Sequence, residues 1–150
     1  TVIPVASGKV NITVSSGGNK IGTVGYDIKP VPAPTIRPFN GDTQIDLQNP
    51  IPANGLTNLQ IRAIPEPTFG RTMSRDANFE VTAGEVRLVR NDVPRESVAI
   101  SGKNVAVRNL LAQAQSGDKL VVIVREVTRT NFKGNKIKSS VTEVYPISIK

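Results

Sequence analysis

The sequence predicts an all-β protein: an Ig-like antiparallel β-sandwich with one short helix, preceded by a β-hairpin from the end of another β-domain. Three observations predict this fold. Apolar and polar residues alternate with a period of two along most of the 150-residue chain, as they do in half-buried strands. Turn residues, mainly glycine, proline and asparagine, separate about eight such runs, and only one segment has helical periodicity.

The first two runs predict a β-hairpin. Residues 9–14 alternate cleanly, residues 15–19 (SSGGN) form a turn cluster, and residues 20–28 form the return strand. An isolated hairpin is only marginally stable in water. We therefore expect residues 1–29 to pair with the rest of a preceding domain, or with a second chain through domain swapping.

A proline-rich phrase follows the hairpin. Pro30, Pro32 and Pro34 cannot donate to a sheet ladder, and their fixed φ favours a stiff, extended connector. These prolines are predicted to form an interdomain hinge. The hinge separates residues 1–34, the terminal strands of a preceding β-domain plus the proline-rich linker, from residues 35–150, the C-terminal Ig-like β-sandwich domain.

The remaining elements follow from the same periodicities. A second proline phrase, residues 59–69 (LQIRAIPEPTF), begins as a half-buried strand and is expected to redirect the chain before a loop at 70–75. Further strands are predicted at 44–47, 77–83, 86–89 and 98–100, and a long C-terminal hairpin at 119–150. Gly84 is expected to mark a bulge or bend. The segment 104–115 is predicted to be helical, of which only the part from about residue 108 need be so, with Gly117 as its C-terminal cap.

The composition argues against an enzyme. The chain has no cysteine, no histidine and no tryptophan, so it lacks a thiol nucleophile, the commonest general base and the largest stacking side chain. A carboxylate pair suited to hydrolysis stays open as an alternative, because its members can lie far apart in sequence. We predict no catalytic residue and no cofactor.

One segment resembles the start of a calcium loop. Asp76, Asn78 and Glu80 alternate, but the positions where an EF-hand needs glycine and glutamate hold Val81 and Arg87. We interpret the three polar residues as the solvated face of a strand, and we predict no metal site.

The net charge of +7 is concentrated in the second half of the chain, where residues 71–150 carry fourteen basic and eight acidic residues. Five basic residues bracket the turn of the C-terminal hairpin: Arg125, Arg129, Lys133, Lys136 and Lys138. They are the candidate partner-binding residues, and an acidic protein surface is their expected partner. The alternative is a solvated hairpin end whose lysines prevent edge aggregation. Nucleic acid is not expected, because Phe132 is the one aromatic residue nearby.

Several short segments together carry a family resemblance: residues 26–34 (YDIKPVPAP), 59–67 (LQIRAIPEP), 8–14 (GKVNITV) and 116–119 (SGDK), and the path from KGNK at 133–136 to YPISI at 145–149. They are similar to the C-terminal periplasmic region of the GldM/PorM family, the shaft proteins of type IX secretion and gliding motility in Bacteroidetes. Where the family has aspartate between two prolines, this chain has Ala33 in one phrase and Glu66 in the other.

The resemblance implies a non-enzymatic structural protein that serves protein transport. Family members form a homodimeric row of periplasmic domains that links an inner-membrane motor to an outer-membrane-associated ring. Their one membrane helix is N-terminal; we expect this chain, which starts at Thr1, to be a processed or truncated product without it. Residues 1–34 would end the third periplasmic domain, and residues 35–150 would form the distal tip that binds ring proteins. The alternative is a secreted or surface Ig-like module that binds glycan or a host protein.

Overall fold

The computed structural model describes residues 8–150. It confirms the predicted all-β fold, with antiparallel sheets and little helix. The chain divides into two compact units, Thr1–Pro32 and Ala33–Lys150, and each is described by itself below. Residues 1–7, which belong to the first predicted domain, lie outside the described residues.

The first unit is the predicted hairpin. Strand β1 (Gly8–Ser16) pairs in antiparallel fashion with β2 (Asn19–Ile28). The turn residues Gly17 and Gly18 have φ values of 57° and 82°, a conformation that glycine adopts without steric cost. One face of the hairpin carries apolar side chains that are about half exposed: Val14, Val24 and Tyr26.

The second unit is a sandwich of two sheets. The small sheet has the order β4–β3–β5 and consists of β3 (Thr35–Asn40), β4 (Thr43–Gln44) and β5 (Leu59–Ile64). The large sheet has the order β7–β6–β8–β9 and consists of β6 (Asn78–Arg90), β7 (Val93–Ile100), β8 (Lys119–Thr130) and β9 (Lys136–Ser148). The named strands pair in antiparallel fashion in both sheets.

Alternate residues of the two sheets fill one shared core. On β8, Leu120, Val122 and Val124 have no exposed surface, and Leu59 and Ile61 of the small sheet belong to the same buried cluster. The period of two in the sequence therefore reports burial on one face of β8, as predicted.

Two short α-helices, where one was predicted, join the strands within residues 8–150: α1 (Pro67–Thr72) and α2 (Arg108–Gln113). The second is the predicted helix, and it buries Leu110. The prediction that Gly117 caps α2 is wrong. The helix ends at Gln113 with Ala114 as its C-cap, and Gly117 lies in the following turn with φ 92°, where its N–H donates to the Ile149 carbonyl.

Helix α1 replaces part of the predicted loop at 70–75. Pro67 stands in the first turn, where a missing N–H costs nothing. The Glu66 carboxylate accepts hydrogen bonds from the N–H groups of Thr68 (2.9 Å) and Phe69 (2.7 Å) and so caps the helix. The second proline phrase thus turns the chain from β5 of the small sheet to β6 of the large sheet.

A bulge on β6 lies where Gly84 predicted one. The register with β8 shifts between Val81 and Ala83 and again between Ala83 and Gly84. A Cβ atom at Gly84 would clash with the carbonyl oxygen of Ile123 and lie 3.2 Å from the Cα atom of Val124. Glycine is therefore required by the close approach of the β8 backbone.

Candidate partner-binding surface

The turn of the β8–β9 hairpin, which carries the predicted basic cluster, is held in one conformation by its own hydrogen bonds. The Asn131 side chain is buried, and its Oδ1 atom accepts hydrogen bonds from the N–H groups of Lys133 (3.0 Å) and Asn135 (2.9 Å). Gly134 has φ 81° and donates its N–H to the Asn131 carbonyl. The turn therefore presents Lys133 and Lys136 from a pre-formed backbone.

Two of the five candidate residues form exposed ion pairs on the large sheet. Arg125 Nη2 lies 2.7 Å from Glu85 Oε1, and Lys138 Nζ lies 3.1 Å from Glu126 Oε1. The two basic side chains remain 59% and 70% exposed, so these pairs contribute little to stability. Hydrogen bonds, first from Arg87 and then from Arg125, lower the pKa of Glu85 to about 2.

Arg129 is largely buried and contacts Asp76 beneath the exposed lysines of the turn. Its Nη1 atom lies 3.3 Å from both Oδ1 and the backbone oxygen of Asp76, and 15% of its side chain is exposed. Asp76 Oδ1 also accepts a hydrogen bond from the Phe132 N–H (3.2 Å). Asp76 therefore joins the loop between α1 and β6 to the β8–β9 turn.

This position of Asp76 corrects the interpretation of the alternating polar residues. Asn78 and Glu80 are exposed, as predicted, but Asp76 precedes β6 and is buried. The interpretation of Asp76 as part of a solvated strand face is wrong. Within residues 8–150, no cluster of three or more acidic, histidine or cysteine side chains is placed to hold a metal ion.

Lys133 and Lys136 are the exposed cations of the turn. Lys133 Nζ lies 5.8 Å from the centroid of the Phe132 ring. In the described part of the chain, neither lysine belongs to an ion pair. Of the five candidates, these two offer their charge most directly to a partner.

Arg75 belongs to the same surface and was missed by sequence reasoning. It is exposed in the loop between α1 and β6 and lines a cleft together with Phe132 and Gly134 of the turn. The link between loop and turn is the contact between Asp76 and Arg129, which are 53 residues apart. No local pattern reports a pairing over that distance, so Arg75 could not be assigned to this surface from the sequence.

The three predicted hinge prolines lie in residues 29–34, which have no regular secondary structure. The division between the two compact units falls after Pro32. Pro30 is exposed, whereas Pro32 and Pro34 are partly buried. Their role as a hinge stays a prediction.

None of the helices in residues 8–150 has the length and apolar character needed to cross a bilayer.

Comparison with protein-family models matches residues 32–150 to the GldM C-terminal domain. The match covers well over half of the chain, so the chain belongs to this family, and the resemblance in the sequence is confirmed. The family is a structural one, and its members are components of the membrane-anchored gliding and type IX secretion machinery. No curated protein and no solved structure matches the chain.

Proposed function

We propose that this member of the GldM C-terminal domain family is a non-enzymatic coupling module. It forms the distal periplasmic tip of a shaft that links an inner-membrane motor to an outer-membrane-associated ring. The family match over residues 32–150 carries the proposal. A protein with this role must be stiff and must dock a partner, and it needs no reaction site.

The architecture of the second unit suits a stiff body. Strands β6, β8 and β9 contain 13, 12 and 13 residues, which is longer than the usual strand of about 5–6 residues. They pair along most of their length and share a close-packed core with the small sheet. Such packing resists deformation and transmits strain.

The docking surface in this proposal is the end of the large sheet at the β8–β9 turn. Lys133 and Lys136 supply exposed positive charge there, and Arg129 fixes the turn from below through Asp76. An acidic surface on a ring protein is the complementary partner, because opposite charge speeds association and selects the partner. Arg125 and Lys138 contribute at the margin of this surface.

The proposal also assigns a homodimer to the shaft and a joint to the prolines at 30, 32 and 34. A proline-rich segment is a semi-rigid spacer, whereas a glycine- and serine-rich linker is flexible. The exposed apolar side chains of the β1–β2 hairpin, such as Val24 and Tyr26, suit a hairpin that completes its sheet with further chain in a longer shaft.

The test is affinity purification of the tagged full-length protein from membranes of its own bacterium. We expect outer-membrane ring proteins to co-purify, and we expect deletion of residues 35–150 to abolish their co-purification while the inner-membrane partner is retained. Retention of the ring proteins by the truncated protein would refute the assignment of this domain as the distal tip. Light scattering on the full-length protein in detergent tests the homodimer.

A further inference from the structure

We propose that the cleft between the α1–β6 loop and the β8–β9 turn binds an acidic peptide segment of a partner protein. In this site a carboxylate of the peptide lies between Arg75 and Lys133, and a neighbouring apolar side chain packs on Phe132. Peptide binding in the cleft is inferred from its geometry and charge, and the identity of the partner as a ring protein rests on the proposed function.

The cleft has the size of a binding site. Its volume is about 610 Å³, which lies within the usual range of about 300–1,000 Å³ for ligand pockets. One wall comes from the loop before β6 and carries Ser74 and Arg75, and the other comes from the hairpin turn and carries Phe132. It is open to solvent, as a site for an extended segment must be.

The charge of the chain is concentrated around this cleft. Two eight-residue segments, 71–78 and 129–136, supply its walls and their immediate neighbours. They carry five cations and one carboxylate, a balance of +4 out of the net +7 of all 150 residues. The cations are Arg71, Arg75, Arg129, Lys133 and Lys136. A field of one sign at a concave surface attracts ligands of the opposite sign.

The single carboxylate of these segments is already satisfied within the protein. Asp76 accepts hydrogen bonds from Arg129 and from the Phe132 N–H, so it does not consume the charge of Arg75 or Lys133. In the described structure neither of these two belongs to an ion pair. A guanidinium group offers two parallel N–H donors to a carboxylate, which makes Arg75 the principal acid-binding residue.

The apolar part of the cleft favours a peptide over a simple anion. Phe132 is partly buried and lines the cleft together with the buried Ala77, and Met73 on the same loop is 37% exposed. An aliphatic residue next to an acidic one would fit both parts of the site. Because Asn131 and Gly134 hold the turn in place, binding requires little ordering of the protein.

A nucleic acid fits the cleft less well. Single-stranded nucleic acids bind along grooves in which cations follow the backbone and several aromatic rings stack on bases. Here Phe132 is the one aromatic residue that lines the cleft, and the Lys133 ammonium group lies over its ring. The cations cluster at one end of the sheet and do not follow a groove. An oligonucleotide therefore serves as the competing ligand in the test.

The test is titration of ¹⁵N-labelled protein with the peptide Glu-Asp-Leu-Glu-Asp, followed by NMR. We expect shift changes confined to residues 71–78 and 129–136. The double variant Arg75→Glu and Lys133→Glu should bind the peptide at least about tenfold more weakly, because two charge-assisted contacts become repulsive. The control with the same total charge is Lys20→Glu and Lys150→Glu, at two exposed positions outside both segments, and it should bind as the unmodified chain does.

Three outcomes would overturn the site: equal loss of binding in the control, shift changes elsewhere on the domain, or tighter binding of a single-stranded oligonucleotide at the same residues. The amide spectrum of each variant also reports whether it is folded. If ring proteins co-purify with the full-length protein but the peptide does not bind the cleft, the site is wrong and the coupling function stands. If the peptide binds the cleft but no ring protein co-purifies, the site stands and the coupling function fails.

Discussion

Arg90, at the end of β6, and Asp118, in the turn before β8, form a bidentate ion pair. The Nε–Oδ1 and Nη2–Oδ2 distances are both 2.8 Å, and the Asp118 side chain is 2% exposed. Asp118 also accepts a hydrogen bond from the Gln115 N–H, and Arg90 donates a further one to the Gln113 carbonyl. The pair therefore fastens the segment after α2 to the large sheet.

Replacing Asp118 by asparagine should destabilise the domain strongly. The variant keeps one acceptor oxygen, but it removes the negative charge and replaces the other oxygen by an NH2 group. Because the Arg90 side chain is 28% exposed, the expected cost is that of a lost charge-assisted hydrogen bond, about 1.5–3 kcal/mol. Urea unfolding followed by circular dichroism measures the loss. The control is Asp92→Asn in the exposed β6–β7 turn, where asparagine tolerates the φ of 59°. Equal stability of the two variants would contradict the assigned role of the pair.

The stability of the domain should fall between about pH 4.5 and pH 2. Hydrogen bonds from Arg90 hold the pKa of Asp118 at about 2, below its ordinary 3.8, although burial acts in the opposite direction. Arg87 and Arg125 lower the pKa of Glu85 from 4.5 to about 2. Because both pKa values are lower in the folded state, the unfolded chain takes up protons first, and the stabilisation present at neutral pH is lost on acidification.

Unfolding midpoints measured from pH 7 to pH 2 test this dependence. The Asp118→Asn variant should lose stability less steeply below pH 4 than the unmodified chain, because it lacks one of the carboxyl groups whose pKa folding lowers to about 2. The same steepness in both proteins would show that Asp118 does not contribute to the acid sensitivity.

The strands and α2 could be predicted because burial leaves a local period in the sequence. Val122 and Val124 are buried and Ile123 between them is not, and Leu110 of α2 is buried at helical spacing from Val107. Strand β4 ends at Gln44, earlier than predicted. The Asp46 side chain accepts a hydrogen bond from the Gln48 N–H and so turns the chain. A single aspartate is a weak turn signal in the sequence, so the strand was predicted to be longer.

The parts that could not be predicted depend on contacts between distant residues. Helix α1 follows a proline phrase that reads as extended, and it is stabilised by the Glu66 cap and by the packing of Phe69 near Phe79, with ring centroids 6.5 Å apart. The basic hairpin end could be located from charge alone. Its cleft could not, because Asp76 and Arg129 meet only after β6 and β8 have paired.

Replacing Gly84 by alanine should destabilise the large sheet. The added Cβ atom would clash with the Ile123 carbonyl oxygen in the middle of the β6–β8 ladder, and overpacking of this kind costs about 1–3 kcal/mol. Thermal unfolding provides the measurement. The matched control is Gly22→Ala on β2, where no atom lies within 4 Å of the new Cβ atom, and little change is expected there. A stability of Gly84→Ala equal to that of the control would show that β8 can shift to accommodate a methyl group.

Removing the hydroxyl group of Tyr145 should weaken the contact between the two sheets. The hydroxyl group on β9 donates a hydrogen bond of 2.8 Å to the Ile36 carbonyl on β3. Arg37 Nη1 also donates to that carbonyl, so Tyr145→Phe leaves it satisfied and should cost only about 1 kcal/mol.

Burial, followed by the nearby Glu143, raises the pKa of Tyr145 above 10. Its absorbance titration in a Tyr26→Phe background should therefore have a midpoint above pH 10. Tyr26→Phe, at an exposed position, is also the stability control. Equal stability of Tyr145→Phe and Tyr26→Phe would show that this hydroxyl group does not link the sheets. An ordinary midpoint for Tyr145 would show that the hydroxyl group is not buried beside Glu143.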